Sequence, residues 1–343
     1  MKLDSSDKKN QVSLRSRILS LPTLIAFCIA IGFISFLLTR FDVEWSSTWD
    51  NISTMNPGLY FLAMLFYYAS FVFRGIRWRI LARNSINEFC DQDNIPSVKD
   101  AAQLIIIGWF VNSITWFRIG DAYRAYLFAE DSNRQISWSL GTVLAERVLD
   151  TVTVFMLLAV SSVFVYSSFT NHAGIYIVVA ALAMALLLVF SLMTMKRYGF
   201  RIASILPYGL EQAYLKFHQG TLDSLKQFKI LIGLGLLGWI LEIARLYFVI
   251  LALDLNVSIP LIIVVALGHA ILSTVPTPGG VGAVEPGMIG ILMIGVVRHE
   301  AISIVLVDRS ITYLSVICVG GLVLLSRYIR TKRRGNITST SNK

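Results

Sequence analysis

The sequence predicts an all-α, polytopic integral membrane helical bundle, with about six full spans, two re-entrant hairpins at about 101–130 and 259–297, and both termini cytoplasmic. Three observations carry this. The 343 residues are 55% hydrophobic and 15% charged, with a mean hydropathy of +0.67, too apolar and too charge-poor for a soluble domain of that length. Apolar runs of membrane-spanning length recur between basic clusters, a pattern that reports topology. Two further apolar stretches are too short to cross, and one of them is broken by prolines and glycines.

The basic tail 1–18 is cytoplasmic by the positive-inside rule, and Leu19 to Leu38 is the first span, a signal anchor without a small-residue cleavage site. Arg40 to Pro57, with one basic residue against Asp42, Glu44 and Asp50, is an external loop. Gly58 to Leu81 returns to a cytoplasmic cluster that includes Arg74, Arg77, Arg79 and Arg83. The short run Ala101 to Phe117 has Lys99 before it and Arg118, Arg124 and Arg134 after it. A hairpin that enters from the cytoplasm and returns through Ile119 to Ala129 removes the conflict. Ser137 to Tyr166 crosses outward, Ser167 to Ala173 is external, and Gly174 to Met195 returns. Ile202 to Lys229 suits a cytoplasmic interfacial helix, and Ile230 to Leu251 goes out again.

Between Ile259 to Thr274 and Gly287 to Val297 lies Val275-Pro-Thr-Pro-Gly-Gly-Val-Gly-Ala-Val-Glu285-Pro286. Proline lacks a backbone donor and glycine has no steric bias toward helix, so the chain unwinds at Pro276, Pro278, Gly279, Gly280 and Gly282. Unwound backbone at membrane depth is tolerated only inside protein or against a water-filled cavity, which makes this a candidate binding site at the tip of a second hairpin, entering from outside. Ala301 to Leu325 is the last span. It ends in a cytoplasmic basic tail, 329–343, expected to be disordered. Of the 30 Lys and Arg residues, only Arg40 and Arg298 fall in segments assigned to the outside.

Three arginines remain within apolar helices, each beside an acid: Arg147 with Glu146 and Asp150, Arg245 with Glu242, and Arg309 with Asp308. A lone ion at the bilayer centre costs about 2.5–3.5 kcal/mol on insertion scales, so these charges should face the interior and pair. Such pairs fit either a polar cavity for a charged headgroup or an ion-pair network between helices. Arg118, Asp121 and Arg124 form a second constellation, because guanidinium groups fork around phosphate; Arg74 and Arg77, with Trp78, form a third. Both also fit interfacial anchoring.

The net charge of +9 lacks the aromatic interleaving of a nucleic-acid surface. Cys28, Cys90 and Cys318 form no disulfide framework, and His172, His218, His269 and His299 have no ligand spacing, so neither a metal nor another cofactor is expected. Asp91-Gln92-Asp93 has a metal-nucleotide spacing but stands isolated in a polar loop.

Taken in order, Arg74/Arg77-Trp78, Gly120-Asp121 with Arg124, Glu146-Arg147 with Asp150, and Pro276 to Glu285 resemble the lysylphosphatidylglycerol synthase transmembrane-region family, also called flippase-like or UPF0104. The likeness covers nearly the whole chain. It implies a domain spanning 19–328, in a cell membrane, that binds or translocates phospholipids or polyprenyl-phosphate-linked lipids. In two-domain relatives a soluble aminoacyl-transferring domain follows, and here the sequence ends at Lys343, so synthase activity is not expected. A lipid flippase is the leading reading. Its partners would be membrane lipids and a lipid-synthesising enzyme. The alternatives are a membrane-embedded enzyme with Glu146, Asp150 or Glu285 as general base, or a non-transporting accessory subunit.

Overall fold

The computed structural model describes residues 45–86, 95–166 and 173–341. The predicted first span at 19–38, the tail before it, the Asp91–Asp93 motif and most of the loop after Tyr166 lie outside the described residues. The described chain is helical throughout, as expected for a polytopic membrane bundle, and three of its helical segments are long and apolar enough to cross a membrane: Pro57–Asn84, Phe228–Ala252 and Arg298–Arg330.

The central pair is α2 (Pro57–Asn84) and α8 (Phe228–Ala252), packed along most of their length, with Phe66 stacked on Phe248 at 5.1 Å. Asn56 caps α2 by accepting from the amides of Gly58 and Leu59, and Pro57 occupies the first turn, where its missing N–H costs nothing. Against this pair stands α5 (Ile136–Tyr166), while α12 (Val316–Ser341) packs on the helix Val98–Ile114. The long helix α6 (Ala173–Ala203) packs on α5 and on α7 (Tyr208–Leu222).

The first hairpin is α3 (Val98–Ile114) and α4 (Ile119–Asp131). Neither arm reaches span length, and they lie against each other with Gly108 facing Gly120 so closely that a Cβ on Gly120 would overlap the Gly108 carbonyl. At the tip, Phe117 and Arg118 both adopt left-handed φ, 60° and 53°, and Asn112 receives the Gly120 amide at 2.8 Å. The second hairpin is α9 (Ile259–Leu272) and α10 (Val284–Leu292), joined by the breaker run with a 3₁₀ turn at Pro278–Gly280. Its returning arm begins at Val284 rather than Gly287, because Pro286 is accommodated in the first turn, where no intrahelical donor is needed.

Four expectations need correction. The external loop at 40–57 contains a helix, α1 (Trp45–Ser53), which packs on α11 (Arg298–Arg309) through Ser303 and the buried Thr48. The last span begins at Arg298, not Ala301, and passes from α11 through a π-helical stretch, Ser310–Ser315, into α12. Helix α12 continues through Ser341, over most of the tail expected to be disordered. The segment 202–229 is more than an interfacial helix: α7 packs on α5, with His218, Gly220 and Thr221 buried.

Candidate functional site

The two hairpin tips meet. The Phe117 amide reaches the Pro276 carbonyl at 3.5 Å, and an Arg118 guanidinium nitrogen donates to the Ser273 carbonyl at 2.7 Å. Beneath them lies a cavity of about 440 Å³ between α2, α3, α5, α8 and α9, closed on one side by Arg309, Thr312 and Tyr313 at the π-helical stretch. A break in α-helical hydrogen bonding at this wall is the kind of local defect that recurs at functional sites.

Behind the cavity the intramembrane charges join into one network. Arg77, 1% exposed, bridges Asp150 at 2.6 Å and Glu146 at 3.4 Å. Glu146 meets Arg124 at 2.9 Å, though not in line for a hydrogen bond. Asp121 receives Arg147 at 2.6 Å, Arg124 at 3.2 Å and Arg118 at 3.8 Å. Arg74 spans Glu242 at 3.4 Å and Asp150 at 3.9 Å, and Asp150 also faces Arg147 at 3.8 Å. Glu242 holds Arg245 at 3.2 Å, and Arg245 closes on Asp308, which also faces His269 Nδ1 at 3.4 Å.

Among the described residues six arginines and five carboxylates are thus connected. With His269 neutral, one guanidinium is in excess. Pairing at this density is what makes so many charges tolerable away from water, since an uncompensated buried ion costs several kcal/mol. Aromatic faces share the load: Arg74 lies between Trp109 and Trp239, 5.3 and 5.4 Å from their centroids, and Arg124 sits 4.8 Å from Trp78.

Of the residues singled out in the sequence, Arg74, Arg118, Arg147, Asp150, Glu242, Arg245 and Arg309 line the cavity. Arg77, Asp121, Arg124 and Glu146 stand behind them and hold them in place. Glu285, at the end of the breaker run singled out as a candidate binding site, is not among the residues that line the cavity. One of its oxygens accepts the Gly282 amide at 2.7 Å and the other meets Arg309 Nε at 2.8 Å, so it fastens the unwound loop. Arg309 completes that fastening by donating to the Gly279 carbonyl at 2.9 Å. Gly279 and Gly280 line the cavity, whereas Pro276, Pro278 and Gly282 shape the turn behind it.

Sequence reasoning missed His269 as a site residue, along with the wall residues Tyr67, Trp109, Trp239 and Tyr313. His269 carried a signal, since a histidine inside an otherwise apolar helix, Ile259–Leu272, wants a polar partner. The aromatics carried none, because they resemble any other apolar helix residue.

The comparisons with known proteins agree with this architecture. The family profile described as "Lysylphosphatidylglycerol synthase TM region" matches residues 23–320. A UPF0104 membrane protein of Methanocaldococcus jannaschii is 30% identical over 221 residues, which cover 62% of this chain and 92% of that protein. One from Pyrococcus horikoshii is 24% identical over 298 residues, covering 77% and 85% respectively, and one from Methanothermobacter thermautotrophicus is 23% identical over 325 residues, covering 86% and 93%. With the hairpins, the breaker loop and the paired charges in place along the matched region, the chain belongs to the lysylphosphatidylglycerol synthase transmembrane-region family.

Proposed function

We propose that this multi-pass protein, placed in the cell membrane, binds the phosphate-bearing headgroup of a lipid in the cavity between its hairpin tips and moves it across the bilayer. The observation that carries this reading is the excess guanidinium of the network, combined with the position of Arg118. That residue is at a hairpin tip, lines the cavity, and among the described residues has as its carboxylate partner only Asp121, at 3.8 Å and shared with Arg124 and Arg147. An anionic phosphate fits a site with one uncompensated cation, and a guanidinium offers it paired donors. The aromatic walls and the apolar lining favour the lipid end of such a molecule over a freely soluble anion.

The test is transbilayer movement of a fluorescent phosphatidylglycerol in vesicles containing the purified protein. Movement should exceed that of protein-free vesicles and should fall at least about tenfold in Arg118→Ala, the loss expected for one charge-assisted contact. Movement undiminished in a folded Arg118→Ala variant would overturn the proposed site.

A further inference from the structure

The ion-pair network leaves one titratable side chain on the cavity wall without a settled charge. His269 lies on α9, one face toward the cavity, with Nδ1 3.4 Å from Asp308. Asp308 is fully buried, and neither of its carboxylate oxygens makes a well-aligned hydrogen bond among the described residues, so its charge rests on Arg245 and on the imidazole. A buried carboxylate in that situation gains from a second cation.

The surroundings decide when that cation is allowed. On α8, Glu242 and Arg245 face the same space; on α11, Asp308 is followed by Arg309. Arg74 on α2, Asp150 and Arg147 on α5 and Arg118 at the hairpin tip complete the charged lining. Glu285 on α10 is occupied by Arg309 and the Gly282 amide. Asp150 and Glu242 are already shared among Arg77, Arg74, Arg147 and Arg245. A proton on His269 would therefore add a second net positive charge to a network that, among the described residues, already has one in excess. An anion in the cavity cancels that opposition, while Asp308 still holds the imidazolium.

We propose that the cavity is a two-substrate site in which His269 takes up a proton when an anionic phosphate group enters and releases it when the group leaves. This rests on the phosphate-lipid reading above and adds to it a coupled proton. No covalent step is involved: the proton comes from water onto an imidazole nitrogen and returns there. Linkage makes the coupling reciprocal, so protonation of His269 tightens phosphate binding by the same factor that phosphate binding favours protonation. A chain that carries both across the membrane would draw on the proton gradient.

The experiment is titration calorimetry of the full-length protein in detergent with dihexanoylphosphatidylglycerol, whose diester phosphate does not itself titrate near neutrality. It is run at pH 6 and pH 8, and in two buffers of different ionisation enthalpy. Proton uptake on binding, and affinity about tenfold higher at pH 6 than at pH 8, are expected. In His269→Gln, which retains a polar group at the position, affinity at pH 6 should fall about tenfold, to the wild type's value at pH 8, and the uptake and the pH dependence should disappear. Binding by the wild type without proton uptake would overturn the coupling and leave the lipid site standing, an outcome that needs no variant to fold. Uptake that persists in His269→Gln would place the proton elsewhere and overturn the assignment. An arm with inorganic phosphate separates headgroup from free anion: comparable affinity for it would overturn the lipid reading, and so would failure of the wild type to bind the lipid probe, the coupling falling with it.

Discussion

The two hairpins bring their tips to one place by different chemistry. In the first, Phe117 and Arg118 hold left-handed φ without being glycines, at about 1–3 kcal/mol each, and the strained tip presents a cation to the cavity. In the second, Gly279, Gly280 and Gly282 adopt the same region at little steric cost, and the tip presents backbone. Its carboxylate, Glu285, fastens the loop together with Arg309 of α11. The difference teaches that a run of breakers marks where a chain bends and need not mark which residues meet a ligand. The cavity-facing charge, Arg118, sits instead on the hairpin whose sequence looks less unusual.

If the first hairpin depends on the ion network behind it, the largest effect should come from a buried member of that network that holds two acids at once. Arg77→Met leaves Glu146 and Asp150 without their shared partner and should cost about 3–5 kcal/mol, read as a fall in the thermal unfolding midpoint of the detergent-solubilised protein. A shift equivalent to less than about 1 kcal/mol would show that the other arginines can cover both acids.

The tips should also respond with opposite signs to exchange of side chain and glycine. Gly279→Val places a β-branched residue at φ +59°, with its Cβ 2.5 Å from the Tyr313 ring, and should destabilise by about 2–3 kcal/mol. Phe117→Gly removes a side chain that is 76% exposed from a left-handed position and should stabilise by about 1 kcal/mol. Unfolding midpoints that move in the same direction would mean that the tips are held alike, against the contrast drawn between them.

Much of this architecture was legible from particular residues. Lys99 and Arg134 on either side of too few apolar residues announced the first hairpin, and Pro276 to Gly282 announced the second. The acids and bases in apolar helices announced that an interior charge cluster existed. What could not be read was its wiring. Arg77 pairs with acids 69 and 73 positions away, and Arg74 with one 168 away, separations over which no local spacing carries information. Helix α1 was hidden for a related reason: it is short and mostly polar, and its order comes from packing on α11 at the far end of the chain. Glu285 misled because a carboxylate next to a breaker run looks the same in sequence whether it faces a ligand or caps its own loop.

The smallest effect on stability should come from the residue on which the proposed binding rests. Arg118 is 28% exposed at its side chain, its ion pair with Asp121 is long, and Asp121 keeps Arg124 and Arg147 when it is gone. Arg118→Gln should therefore change the unfolding midpoint by the equivalent of less than about 1 kcal/mol, as for other partly solvated pairs. Removing the network's excess positive charge should nonetheless weaken binding of dihexanoylphosphatidylglycerol about tenfold to a hundredfold, the range of one hydrogen bond to a charged group. The same calorimetry on Gly279→Ala should show the reverse, a loss of stability larger than its loss of affinity, because that position supplies shape and no charge. Equal affinity losses in the two variants would mean that the cavity is read by its shape, and the division of labour between the hairpins would fall.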